Sequence, residues 1–338
     1  MAYSAPGMAS LSVWAMLVRI GRKSYVKGET MGTGYIDYAG YKECVNLQND
    51  DVQVVLGPHC GGRVLAYAWQ GENALALDPR QDGWTYGTGT PPMGGPSGGR
   101  FDFGPETTTP AHPMLWVGPW EAEITGSWSA RMTSVVDEAT GVQLVRDFAL
   151  AEGCSRLTCT QTIHNLSDQE LHTCHWSRTF GVGHGICVVP LTPHSRFPKQ
   201  YIMYERGPVM NFMPDDPSIE IRDDYFLLLD APQYPKLGLD SHAGWFAYLM
   251  PNDLMFVKAY PTYPERVYGE MAGLTISLWY MRDFVCELEP IGPREILAPG
   301  ASASFTETWY LTPYAFPEPR AGVDPARVAQ VAKELMIG

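Results

Sequence analysis

The chain has no run of Lys or Arg, and its 24 basic residues are outnumbered by 37 acidic ones, a net charge of −13. That balance argues against nucleic acid and against an anionic membrane as partners, although it selects no substrate. The apolar stretch Met8–Val18 is too short to cross a bilayer. No basic segment precedes it, so a secretory leader is not expected. There is no P-loop, no Gly-x-Gly-x-x-Gly after a strand and no Gly-x-Ser-x-Gly elbow. The glycine-rich stretch 89–99 is broken by prolines and leads into no helix, which argues against a phosphate cradle.

The seven cysteines show no Cys-x-x-Cys or other zinc spacing. Cys44, Cys154, Cys159, Cys174, Cys187 and Cys286 sit in apolar or alternating runs, as small core residues do. An odd number of scattered thiols fits a reducing compartment, so a cytoplasmic protein is expected. His59, His112, His184 and His194 fall in turns or loops, where imidazoles and a carboxylate can take a divalent metal. No His-x-His, His-Glu-x-x-His or His-x-x-x-His spacing is present, and the expectation is a protein without a cofactor. Helix signals are equally scarce and confined to 324–338, where Asp324 can cap and Pro325 suits the first helical position. There Val328, Val331, Ala332 and Leu335 recur at helical spacing.

What the chain has is hydrophobic and aromatic residues, 45% and 12% of the total against only 18% charged, enough for a large core. Short β-like runs follow one another between Gly, Pro, Asn and Asp punctuation: Val52–Leu56, Val64–Trp69, Trp120–Ser127, Ser129–Val136, Val142–Leu150, Arg156–His164 and His172–Phe180. They continue with Ile186–Pro190, Trp245–Met250, Leu254–Tyr260, Leu274–Tyr280, Phe284–Glu289 and Ser302–Leu311. Tight turns such as Asp137–Gly141 and Pro251–Asp253 favour antiparallel pairing. The expected fold is all-β, a large antiparallel β-sandwich over 1–323 as a single domain with a C-terminal helix, 324–338, packed on it. Two stretches, 82–112 and 190–217, lack periodicity and read as long binding loops.

Candidate chemistry gathers in Phe284–Leu311, where Glu287 and Glu289 point to one face of a strand. Two carboxylates on an apolar strand need cationic or hydrogen-bonding partners, and their repulsion raises a pKa, as a proton-transfer group requires. Arg178, on an aromatic strand with few charges, needs an acid or a ligand, and Glu287 or Glu289 can serve. Trp84 and Tyr86 border the glycine-rich stretch, where an aromatic ring can stack on a sugar.

The order of motifs resembles the galactose mutarotase-like superfamily, the aldose 1-epimerases and their relatives, with the nearest pattern in its DUF4380-type branch. The motifs are NLQNDDVQVVLGPHCGGRVLAYA at 46–68, Gly98-Gly99-Arg100-Phe101, LTCTQTIHNLSDQELHTCHWSRTFG at 157–181, KLGLDSHAGWFAY at 236–248, and Glu287-Leu288-Glu289-Pro290 followed by Leu297-Ala298-Pro299-Gly300. The resemblance spans roughly 40–312 and implies the galactose mutarotase-like sandwich. It also implies an aldose 1-epimerase-like isomerase of carbohydrate metabolism, with Glu289 removing the anomeric hydroxyl proton and His175 protonating the ring oxygen. Glu287 stands beside them, and Arg100, Arg178, His59, His194, Lys236 and Trp84 are the expected substrate contacts. His175 and Arg178 have opposite parity, so an undistorted strand cannot aim both into one site.

Two alternatives stay open beside the epimerase. One is a polysaccharide lyase or glycoside hydrolase on an acidic saccharide, using Tyr201 or Tyr204 with His194; it requires Arg100, Arg178 and Arg196 to converge. The other is a non-catalytic carbohydrate-binding protein with a groove of exposed aromatics and Glu287 and Glu289 held in salt bridges. All three take a small-molecule carbohydrate or oligosaccharide as partner, and composition selects no oligomeric state.

Overall fold

Strand Leu157–Asn165 shows how the sequence builds its sheets. Leu157, Cys159, Gln161, Ile163 and Asn165 are buried while the threonines between them are half-exposed, the period of two that a strand imposes. On the outer side the hydroxyls of Thr160 and Thr306 lie 3.0 Å apart and those of Thr162 and Ser304 2.8 Å, a cross-strand ladder with strand Ser302–Pro313.

The computed structural model describes residues 32–87, 97–206 and 209–338. Two antiparallel sheets, of 13 and 10 strands, stack on each other. Through the middle of the larger sheet the order is Arg63–Trp69, Gly99–Gly104, Leu171–Val182, Val285–Pro290, Ile276–Met281, Lys236–Leu239 and Ile202–Tyr204. The smaller sheet is centred on Trp245–Met250, Leu254–Ala259, Ser302–Pro313, Leu157–Asn165 and Val142–Leu150. Their inner faces share one core that includes Leu144, Phe148, Phe246, Phe256, Leu288 and Trp309. The fold is thus an all-β antiparallel sandwich. Helix Pro325–Ile337 lies on the outer face of the smaller sheet, burying Val328, Ala329 and Ala332 against Ile186, Val188, Trp245 and Val257. The Asp324 side chain accepts the Arg327 N–H at 3.1 Å and caps it.

The stretch 82–112, expected to be a loop, contains a central strand, Gly99–Gly104, buried along its whole length. Phe101 and Phe103 enter the core while Arg100 and Asp102 turn to the opposite face. Glycine is needed at 99 because a Cβ there would stand 2.9 Å from the Trp309 ring. Within 190–217, Ile202–Tyr204 and Met210–Asn211 also join the larger sheet. Short helix Pro113–Val117 supplies Trp116, which packs with Phe180, Val285 and Trp279 over the centre of this outer face. Residues 88–96 of the glycine-rich stretch lie outside the described residues.

Candidate functional site

Three neighbouring strands meet at Arg178. It sits on Leu171–Val182 between Gly99–Gly104, which carries Asp102, and Val285–Pro290, which carries Glu287 and Glu289. Its Nε–H donates to Glu287 Oε1 at 2.6 Å, its Nη1 lies 3.5 Å from Asp102 Oδ2, and Glu289 Oε1 is 2.8 Å from Nε. Because the single Nε–H is directed at Glu287, both buried oxygens of Glu289 lack a hydrogen bond of good geometry among the described residues, with only the Ser277 hydroxyl acting on them as a side-chain donor. The guanidinium also lies 4.5 Å from the Trp176 ring centroid and 5.0 Å from that of Trp116, a favourable contact for a partly desolvated cation.

Burial sets the protonation of this cluster. Glu289, 1% exposed, is pushed well above the usual carboxyl range by desolvation and then by Glu287, which together outweigh Arg178 and Lys236. Asp102 goes the other way: burial opposes its charge, but His112 and Arg178 outweigh that and hold it low. His112, at the entry to helix Pro113–Val117, places Nε2 2.7 Å from Asp102 Oδ1 and Nδ1 2.6 Å from Pro110 O. Burial disfavours its charged form, yet the Asp102 carboxylate prevails and raises it to about 9. On the other flank, Lys236 Nζ is ion-paired with Glu106 and lies 5.3 Å from the Trp176 ring and 5.1 Å from that of Tyr204. Buried Glu270, raised by desolvation, accepts the Glu106 N–H at 2.9 Å. Tyr204 is raised first by burial and then by Glu270, Glu106 and Glu289. The result is a carboxylate-rich surface in which Arg178, Lys236 and His112 each face an acid.

Of the residues expected from the sequence, Glu287, Glu289, Arg178 and Lys236 are brought together. His175 is not. It has the opposite parity and points into the sandwich, stacked between Phe101 and Phe305 at 5.1 and 4.4 Å, with Nε2 2.9 Å from Glu307 Oε1. A sheet backbone separates it from Glu289, so the two cannot act on one substrate. Arg100 is fully buried under Trp116, donating to the Trp116 carbonyl with the ring centroid 4.5 Å away. Its guanidinium packs that indole and is not presented to a ligand. His59 is half-buried against the Tyr41 ring, and Trp84 packs into the cluster of Tyr41 and Cys60 that also holds Trp116. His194 is exposed. Arg196 pairs with Asp240 at 3.3 Å, so the three arginines required for an acidic saccharide do not converge: only Arg100 and Arg178 meet, at Trp116. Among the described residues no three of His, Cys, Asp and Glu gather as a metal set.

Sequence reasoning missed Asp102, Glu106, Glu270 and the pairing of His112. The signal for Asp102 was present: Arg100-Phe101-Asp102-Phe103 alternates as a strand does. Nothing local distinguishes His112 or Glu270, whose partners come from distant strands.

No family model and no curated protein matches the sequence. Solved structures do. A galactose mutarotase-like protein from Lactobacillus casei superposes with a TM-score of 0.54 at 11% identity, covering 80% of this chain and 100% of its own. A galactose mutarotase related enzyme from Lactobacillus acidophilus gives 0.56 at 10% identity, covering 80% and 98%. A candidate aldose 1-epimerase from Escherichia coli gives 0.52 at 11% identity, covering 79% and 98%. At such identities the likeness is one of fold: the chain has the galactose mutarotase-like fold.

Proposed function

We propose that the Arg178 face binds a neutral sugar and moves protons at its anomeric centre, as an aldose 1-epimerase does. The observation that carries this reading is Glu289, a buried carboxyl of raised pKa whose oxygens make no hydrogen bond of good geometry among the described residues, on the face where Arg178 packs over Trp176. A carboxyl of raised pKa is a stronger base once ionised, and a hydroxyl of the substrate satisfies its empty acceptors. Glu289 takes the proton of the anomeric hydroxyl as the bond between C1 and the ring oxygen breaks. The His112–Asp102 pair, on the other flank of Arg178, supplies the proton that the ring oxygen gains. Rotation about C1–C2 and reversal of the two transfers closes the other anomer. His112 thus replaces His175 in the acid role. The solved neighbours bearing mutarotase and epimerase names support the same class of chemistry.

Charge favours a neutral substrate. Arg178, Lys236 and His112 are each paired with carboxylates, so a phosphate or uronate would meet an acidic surface without an available cation.

Proton NMR of freshly dissolved α-glucose and α-galactose tests the assignment. Faster α-to-β equilibration is expected, falling about 100-fold or more in Glu289→Gln and in His112→Asn, the low end of general acid–base effects. Saturable binding without acceleration would make the protein a sugar-binding one. Neither binding nor acceleration with any neutral sugar would end the carbohydrate reading of this face.

A further inference from the structure

The interior of the sandwich holds an ion pair that the surface chemistry does not use. Lys258, on strand Leu254–Ala259 of the smaller sheet, is fully buried, as is Glu307, whose Oε2 lies 2.8 Å from Lys258 Nζ. Glu307 also accepts from Trp309 at 2.9 Å and Gln161 at 3.0 Å, and its Oε1 lies 2.9 Å from His175 Nε2. Lys258 then reaches across to the larger sheet. Its ammonium donates to Ser177 Oγ at 2.7 Å, Thr179 Oγ1 at 2.9 Å and the Leu288 carbonyl at 3.0 Å.

Those three acceptors lie directly behind the site. Ser177 and Thr179 flank Arg178 on its strand and point inward where Arg178 points outward. Leu288 stands between Glu287 and Glu289, and it is the register partner of Thr179. The ammonium therefore bridges the seam between the strand that carries the cation of the site and the strand that carries its two glutamates. Stability alone gives no reason for it, because a buried ion pair is commonly no better than an apolar pair of equal volume.

We infer that Lys258, anchored by Glu307, is a positioning residue that fixes from behind the register at which Arg178 meets Glu287 and Glu289. Only its consequence for catalysis rests on the acid–base reading of the site. The double variant Lys258→Met with Glu307→Gln removes both charges and keeps one acceptor oxygen for His175 and Gln161, an amide nitrogen replacing the oxygen that took Lys258 and Trp309. The measurement is solvent exchange of the Arg178 Nε proton by nitrogen–proton NMR, its signal identified by loss in Arg178→Lys. Exchange is expected to be at least about 10-fold faster in the double variant while its unfolding midpoint stays within about 5 °C of the native one. Exchange within about twofold of native in the folded variant would overturn the inference. Should the double variant not fold, Ser177→Ala with Thr179→Val removes the hydroxyl tethers and leaves the ion pair. Exchange about threefold faster supports the inference there, and unchanged exchange overturns it. Where native protein accelerates mutarotation, the same variants should lose kcat with KM little changed. Where it accelerates none, the acid–base reading fails and the exchange result still decides the role of Lys258.

Discussion

Replacing Arg178 by Met removes a cation that touches all three of Asp102, Glu287 and Glu289 and keeps much of the apolar stem. The guanidinium lies 2.6, 2.8 and 3.5 Å from the three carboxylates, and its side chain is only 20% exposed. At an effective dielectric constant near 20, such a contact with an ionised carboxylate is worth about 4 kcal/mol of gross attraction, most of it offset by desolvation, and less with Glu289, whose raised pKa favours its neutral form. Breaking a buried pair by removing one partner costs a net of roughly 3–5 kcal/mol. Protonation limits the loss, because a carboxyl of the cluster can take up a proton when the cation is gone. For a carboxyl that ordinarily titrates near 4.3, this costs about 3.7 kcal/mol at pH 7 and about 1 kcal/mol at pH 5. The expected loss is therefore about 3–4 kcal/mol at pH 7, shrinking towards about 1 kcal/mol at pH 5. Urea unfolding followed by tryptophan fluorescence at the two pH values measures it, with an unchanged slope as the check that the unfolded state is the same. Arg178→Met with Glu287→Gln should recover at least half of the loss at pH 7. A loss below about 1 kcal/mol at pH 7, or an equal loss at both pH values, would refute the assignment of Arg178 as the electrostatic centre of the site.

Other expectations follow from the same geometry. His112 is raised from 6.5 to about 9, so its contribution to stability is present in full below about 6.5 and disappears as pH rises through about 9. In stability–pH curves His112→Asn should therefore cost at most about 3 kcal/mol at pH 6 and little above pH 9.5. Glu289 is raised, so native stability should fall as pH climbs from the ordinary carboxyl range towards its folded value. Glu289→Gln should lack that slope and gain on native protein across the same window. His175→Asn leaves Glu307 one donor short and should cost about 1–3 kcal/mol in urea unfolding, yet leave any mutarotation within about threefold of native. Asp324→Ala removes the cap of helix Pro325–Ile337 and should cost about 1 kcal/mol by the same assay.

The sandwich was legible because its strands have clean period-two burial, as in Leu157–Asn165, and because tight turns left little room for crossover helices. The C-terminal helix was legible from Asp324, Pro325 and the spacing of Val328 and Ala332. What escaped were strands whose composition belongs to turns. Gly99–Gly104 is glycine at both ends because a Cβ would crowd the Trp309 ring at 99 and Glu270 and Cys174 at 104, so the residues that make it a strand are also those that disguise it. Tyr225–Leu228 and Lys236–Leu239 are short and owe their order to neighbouring strands, which no local pattern reports.

The candidate site divides along the same line. Glu287, Glu289 and Arg178 could be read because each is a charge on an apolar strand, where an unpaired ion is costly. Parity also stated in advance that His175 and Arg178 diverge, and the strand from 171 to 182 has no bulge that would bring them to one face. The polar residue opposite in parity to a site is then no longer a failed candidate but a question about the interior. His175 answers it by joining Glu307 and, through it, Lys258, which returns to the seam beneath Arg178. One strand thus presents a charge cluster on one face and the tethers that hold its register on the other. Residues 175, 177 and 179 should accordingly tolerate substitution in proportion to how far each disturbs Lys258, whereas 176 and 178 should answer to the ligand.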